Sequence, residues 1–338
     1  MVGIEQKLSL VLKNTVEVIT PDELKKLLEE KKSPSVYVGI APTGPFHMAY
    51  LVVLGKLFEL QKAGFKTKIL IANVHAAMDD LKAPWEQIML RAEYYKKCIE
   101  LSFPWKEKPE FIIGSEFQFG KDYLKDVLRA STITTVKRAM RAASEVCRLK
   151  NPKVSELIYP IMQALDEEYL NVDMQLGGLD QRHIFVFARE LLPKLGYRQR
   201  VELMTPLVAS LKGPGTKMSS SIPESHIKVY ETPESIKEKI VKAYCPIAKE
   251  ENPILQFYQF IIFPILEKVT ILREEKFGGD VSFNSYEELE KEFLEKKIHP
   301  MDLKNTLALK LAEIFSDARK YFEKNADMLK NLGKEFLA

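Results

Sequence analysis

The sequence predicts an α/β fold in which a parallel sheet is covered by helices on both faces, followed by a mainly helical C-terminal region. Strand-like runs alternate with helix-like ones, and those strands are apolar throughout rather than alternating with polar residues. Near residue 230 the texture changes, and helical periodicity prevails to the end.

Along the chain, 22–31 reads as a short helix with Thr20 or Asp22 as cap and Pro21 in the first turn, where a missing N–H costs nothing. Residues 36–41 (VYVGIA) form the first strand. PTGPFH then breaks the run, and 48–64 has helical spacing that stops at Gly64. KTKILIANVHA from Lys66 is a second near-continuous strand core, 85–100 a charged amphipathic helix, and 110–114 a third short strand. Residues 122–148 read as one long helical pattern and 155–170 as another helix. A polar glycine turn, QLGGLDQR, leads into a helix over 181–192 and a strand near 200–204. Beyond 230, TPESIKEKIVKAY and much of 284–332 are helical, with Ser285 to Glu288 as a capping box and Pro300 opening a helix.

A chain of 338 residues exceeds what one core usually supports, which with the change of texture predicts domains over 1–230 and 231–338. The net charge of +3, from 50 basic and 47 acidic residues, excludes a polycationic binder but not a nucleic-acid partner. The first 230 residues hold 33 basic against 27 acidic residues, and 121–150 alone holds eight against three. Cys98, Cys147 and Cys245 lie far apart, giving neither a disulfide framework nor a structural zinc motif. With no signal-peptide pattern and no long uncharged apolar run, the expectation is a cytoplasmic protein with no membrane contact.

Two segments carry chemistry. In APTGPFHMAY (41–50), Gly44 allows a tight turn, the following helix offers free N–H groups to phosphate oxygens, and His47 can donate a hydrogen bond to a phosphate. A plain strand-to-helix turn is the competing reading. In KGPGTKMSSS (212–221), a glycine loop ends in Lys217 and three hydroxyls, a set of donors able to close over a triphosphate and reopen to release pyrophosphate. The competing reading is an incidental surface loop.

Together these segments resemble the class I aminoacyl-tRNA synthetases, specifically the tyrosyl enzymes of archaeal and eukaryotic type. His47-Met-Ala-Tyr50 corresponds to the HIGH signature and Lys217-Met-Ser-Ser-Ser221 to the KMSKS signature. The likeness runs on through 159–184, KFGGD (276–280) and HPMDLKN (299–305). Ala49 and Tyr50 depart from the usual Gly and His, which narrows the space against the adenine and leaves more of the electrostatics to His47 and Lys217.

The resemblance implies a Rossmann-like nucleotide-binding catalytic domain over 1–230 and a helical anticodon-binding domain over 231–338. It implies His47, Lys217, Ser219 and Ser220 as catalytic residues, with Gly44, His47, Tyr50, Gly178, Asp180, Lys217 and Met218 holding ATP. Tyr159, Gln163 and Gln181 are implied for the substrate ammonium, and Tyr37 and Asp166 for the tyrosine hydroxyl. The spacing of 159, 163 and 166 puts all three on one side of a helix. Core packing of Tyr159 and backbone satisfaction by the glutamines remain open. For tRNA(Tyr), Arg141 is implied at the acceptor end and Phe277 with Asp302 at the first anticodon base; a solvated helix face, a packed Phe277 and a capping Asp302 are the alternatives. Magnesium is expected to arrive with ATP, no protein-made metal site is expected, and the family implies a homodimer. The rival readings are a tryptophan-tRNA ligase, a small-molecule nucleotidyltransferase without an RNA partner, and a non-catalytic RNA-binding descendant.

Overall fold

The computed structural model describes residues 3–79, 82–147, 151–218 and 222–337. The chain divides into two compact units, one of residues 1–43, 59–96 and 107–207, the other of 44–58, 97–106 and 208–338.

The first unit opens with α1 (Ile4–Leu12), β1 (Glu17–Ile19) and α2 (Pro21–Glu30). Thr20, not Asp22, caps α2. Its Oγ1 accepts from Glu23 N–H at 3.3 Å while Glu23 accepts from Thr20 N–H at 3.2 Å, a reciprocal capping box. Next come β2 (Ser35–Ile40), α3 (Tyr50–Lys62), β3 (Lys66–Ile71), α4 (Asn73–Met78), α5 (Ile88–Ser102) and β4 (Glu110–Ile113). The apolar run from Lys66 therefore ends as a strand at Ile71 and continues as a helical turn.

The long helical pattern over 122–148 is two helices, α6 (Lys121–Ile133) and α7 (Val136–Ala143), because Thr135 turns extended and caps the second through Arg138 N–H. α8 (Val154–Tyr169) follows. The first half of the expected polar glycine turn is instead β5 (Met174–Gly178), a buried inner strand, the turn itself being Leu179–Gln181, and α9 (Arg182–Leu191) and β6 (Val201–Thr205) complete the unit. At Gly177 a Cβ would fall 2.6 Å from the Phe185 ring, so the glycine serves close packing inside a strand, not a bend.

Among the described residues the sheet has the order β1-β6-β5-β2-β3-β4, parallel apart from the antiparallel edge strand β1. The chain runs from β2 outward to β3 and β4, then returns to the other side of β2 with β5 and β6. The order reverses between β2 and β5, the topological switch point where open parallel sheets bind ligands.

The second unit holds the first turns of α3, the end of α5, and the hairpin of β7 (Ala209–Ser210) and β8 (Gly213–Lys217). Then come α10 (Pro233–Lys242), α11 (Pro253–Phe257), a π turn over Tyr258–Ile262 and α12 (Phe263–Ile265). The hairpin of β9 (Val269–Ile271) and β10 (Val281–Phe283) interrupts an otherwise helical region that ends with α13 (Tyr286–Leu294), α14 (Pro300–Ile314), α15 (Ser316–Lys324) and α16 (Ala326–Leu332). α10 packs on α14 through Ile236, Ile240, Leu303 and Leu307, all fully buried. Ser285 caps α13 by accepting from Glu288 N–H.

Gly55 lets α3 approach the π turn, since a Cβ there would fall on the Phe260 carbonyl oxygen, a backbone atom that cannot rotate away. Gly55→Ala should therefore destabilise the fold by about 2 kcal/mol, as overpacked core substitutions do. A urea midpoint equal to the parent's would show that the helix can shift freely.

Candidate active site

At the switch point the sheet carries a row of polar side chains. Tyr37 of β2 pairs in register with Gln175 of β5, and Gln175 with Glu202 of β6, so the three side chains share one face. Tyr37 is fully buried, and its Oη has no hydrogen-bond partner among the described residues.

Asp166, on α8, is equally buried and firmly held. Gln118 Nε2–H donates to its Oδ1 at 2.9 Å, Tyr123 Oη lies 2.8 Å from the same oxygen, and His75 Nε2 stands 3.9 Å from Oδ2. Burial pushes the Asp166 carboxyl up to about 7, outweighing the two hydrogen bonds that favour its anion. Burial also drives His75 down to about 4, so that imidazole is neutral near pH 7. The Tyr37 phenol is raised well above its ordinary value by burial and by the charges of Glu167 and Asp166. This buried end of the sheet thus offers a phenol that stays protonated near pH 7 and a carboxyl held at Oδ1, with a neutral imidazole 3.9 Å from its Oδ2.

Glu167, next to Asp166, and Glu202 lie fully buried, and among the described residues no other group donates to their four carboxyl oxygens. Burial raises both; Glu167 raises Glu202 further, a hydrogen bond from Glu202 holds Glu167 lower, and Arg200 and Arg189 partly offset the rise of each. A proton shared between the two carboxyls satisfies oxygens that would otherwise repel.

Gln163 and Gln181, expected to act together, are joined: Gln163 Nε2–H donates to Gln181 Oε1 at 3.1 Å. Tyr159 stands edge-on to the His75 ring at 4.6 Å. Gly178 precedes the turn that carries Asp180, and both are half-buried.

His47, Gly44 and Tyr50 belong to the second unit. Ala49 N–H donates to His47 Nδ1 at 3.3 Å, which leaves Nε2 as the protonated nitrogen of a neutral ring. Burial, then the neighbouring His226, lower the imidazole to about 3. Tyr50 stacks on Phe46 at 5.0 Å and lies 4.8 Å from the His47 ring. Lys217 closes β8 and Met218 is half-buried; Ser219 and Ser220 lie outside the described residues.

Of the positions expected to meet RNA, Arg141 is exposed in the last turn of α7, whereas Arg138 is tied to Glu190 at 2.8 Å and lies over the Phe187 ring. Phe277 is 60% exposed with Lys276 over its ring. His299 caps α14 by accepting from Met301 N–H, so Asp302 in the first turn is not spent on the cap.

Sequence reasoning missed Gln118, Tyr123 and His75, which follow β3 and β4. Their one available signal was position just beyond the C-terminal ends of parallel strands. Among the described residues, Asp79, Cys147 and Glu156 bring three potential metal ligands within 4.8 Å of one another. That group does not suit a metal: Lys82 is ion-paired to Asp79, and burial pushes the Cys147 thiol up to about 12, away from the thiolate a metal needs. The three cysteines are free thiols.

Residues 29–316 match the family model of class I tRNA synthetases (W and Y). The chain is 46% identical over 319 residues to the tyrosine–tRNA ligase of Methanopyrus kandleri, spanning 94% of this chain and 98% of that one. It is 42% identical to the cytoplasmic tyrosine–tRNA ligase of Gallus gallus, over 98% of this chain and 63% of the longer relative. The crystal structure of the Archaeoglobus fulgidus tyrosyl-tRNA synthetase complexed with L-tyrosine superposes with a TM-score of 0.89 at 43% identity, covering 94% of this chain and 99% of that one.

The buried acids make stability depend on pH. Asp166 is ionised in the unfolded chain above about 4 but keeps its proton in the fold until about 7, so the folded state binds more protons and its advantage shrinks as pH rises through that window. Urea midpoints should fall between pH 5 and 8, and Asp166→Asn should flatten the early part of that slope. An Asp166→Asn profile parallel to the parent's would mean that Asp166 is ionised in the fold at every pH tested.

Proposed function

The chain belongs to the class I tRNA synthetases, to the tyrosyl group of archaeal and eukaryotic type, and is an ATP-dependent tyrosine–tRNA ligase; on that premise we propose how its residues divide the reaction. Tyrosine carboxylate attacks the α-phosphate of ATP, an acyl–phosphate bond forms, and pyrophosphate leaves. A ribose hydroxyl at the 3′ end of tRNA(Tyr) then attacks the activated carbonyl and releases AMP.

The observation that carries the substrate reading is that two fully buried groups, Tyr37 and Asp166, lie near enough for the Asp166 charge to act on the Tyr37 phenol. A tyrosine phenol donates to Asp166 and accepts from Tyr37. An indole N–H can only donate and leaves Tyr37 Oη without a partner, and phenylalanine satisfies neither group. Such a pocket rejects the analogue lacking the hydroxyl by about 10⁴–10⁵. Tyr159, Gln163 and Gln181 receive the substrate ammonium. Gln118 and Tyr123 hold Asp166 in place.

For ATP, which enters with its magnesium, we assign Gly44, His47, Tyr50, Gly178, Asp180, Lys217 and Met218. His47 donates to the phosphates through Nε2–H and remains neutral throughout the physiological range, a role supported by its Nδ1 accepting from Ala49. Lys217 with Ser219 and Ser220 stabilises the pentavalent phosphate. No side chain forms a covalent intermediate, so rate comes from alignment and charge stabilisation.

Residues 1–230 carry activation and the acceptor end, with Arg141 on the acceptor stem. Residues 231–338 read the anticodon, where an exposed aromatic, Phe277, and the uncommitted carboxylate of Asp302 suit stacking on and accepting from guanine. This division is one of labour and follows different bounds from the packing units. The chain acts in the cytoplasm, as the name of the Gallus gallus relative has it for that protein; among the described residues no helix is long and apolar enough to cross a membrane. It works as a homodimer through the apolar face of α6 and α7, where Leu128 is 69% and Val136 63% exposed.

Three results would support this reading. Pyrophosphate exchange should run with tyrosine and far more slowly with tryptophan; a tryptophan preference overturns the pocket assignment. Lys217→Ala should depress adenylate formation by about 10²-fold or more while leaving tyrosine affinity nearly unchanged, because its contact belongs to the transition state. In sedimentation, Leu128→Glu should shift the chain toward monomer, and an unaltered dimer would remove α6 from the interface.

A further inference from the structure

The 47–50 segment has one imidazole, because Tyr50 stands where the related signature has a second histidine. The fold brings another imidazole to His47 from far along the chain. His226 is buried, and its ring lies 4.8 Å from the His47 ring, tilted by 39°. Its Nδ1 is 3.1 Å from the Ile222 carbonyl; a carbonyl only accepts, so Nδ1 is the protonated nitrogen. Its own carbonyl accepts from Lys239 Nζ at 3.1 Å.

The backbone repeats the connection. His47 forms a β-bridge with Lys228, and Met48 N–H donates to the Ile227 carbonyl at 2.9 Å. Residues 226–228 therefore grip residues 47–48 by main chain and by ring. The His47 ring is thus bounded by Tyr50 on its own helix turn and by His226 from the distant segment, while Ala49 N–H occupies Nδ1. Little rotation is left to it, and Nε2–H is its remaining donor.

We propose that His226 is a positioning residue for adenylate formation, its imidazole anchored on the Ile222 carbonyl and packed against the His47 ring so that the His47 Nε2–H is held ready for the phosphates. His226 touches no substrate and acts through His47. The inference rests on the role assigned to His47 under Proposed function. It also explains how this chain tolerates Tyr50: the neighbouring imidazole need not come from the same helix turn.

The test is a double-mutant cycle on single-turnover adenylate formation with the full chain. His226→Ala should slow the step about ten- to hundredfold, the range for a misplaced catalytic group, with the tyrosine dissociation constant unchanged. In a His47→Ala background the same change should cost nothing further. A role in packing alone would slow both backgrounds alike, so losses that multiply overturn the proposal, as does a His226→Ala rate equal to the parent's. Should His226→Ala fail to fold, His226→Phe keeps the ring volume but lacks the Nδ1 anchor. It should lose about threefold or more by itself and nothing on His47→Ala, with the opposite results counting against the proposal. The function reading fails separately: a parent that forms no tyrosyl-adenylate sinks it, and a His47→Ala variant as fast as the parent removes the role of His47.

Discussion

A carboxylate inside a protein must be held by donors or take up a proton, and much of the first unit is arranged around that requirement at Asp166. Gln118 and Tyr123 occupy one oxygen, Tyr37 shares the same buried region, and Glu167 and Glu202 lie close enough to add negative charge. Were Glu167 and Glu202 both ionised, Asp166 would hold its proton still more tightly and would be a poorer acceptor for a phenol. A shared proton between them limits that effect, and Arg200 and Arg189 reduce it further. Under the proposed assignment, recognition of one hydroxyl is thus tied to the protonation of residues that do not touch it.

The second unit meets a different demand, which is to keep an imidazole neutral and oriented. Burial alone discourages protonation of His47, but it does not choose which nitrogen carries the hydrogen. The Ala49 N–H makes that choice. The two sites therefore use burial in opposite senses. At Asp166 it raises the affinity for a proton, and at His47 it lowers it.

Local pattern made much of this visible. β2, β3 and β4 appear as largely apolar runs because a parallel sheet is apolar on both faces, and the Thr20-Pro21 cap is a matter of neighbours. The spacing of Tyr159, Gln163 and Asp166 reflects one turn after another of α8. What stayed hidden depends on contacts between distant segments. Gly177 and Gly178 look like a turn until Phe185 is seen to require the glycine inside a strand. The break between α6 and α7 falls in a β-branched run, Thr132 to Val136, where Thr135 turns extended and caps the next helix. Gln118 and Tyr123 join the pocket only because β4 ends beside β3, and nothing near His226 in sequence points to His47.

The bridge between residues 47–48 and 226–228 also bears on how the molecule is made. The second unit is assembled from three separate stretches of chain, and its residues 47–48 are fastened to residues synthesised long after them. Contacts of such sequence separation form late, because loop closure must be met before they return any energy. During synthesis the first strands of the sheet can pair while residues 44–58 still lack their partners. Under the proposed roles, an unfinished chain then has much of its tyrosine site but no fixed His47, and competence for activation comes only once the later residues have emerged.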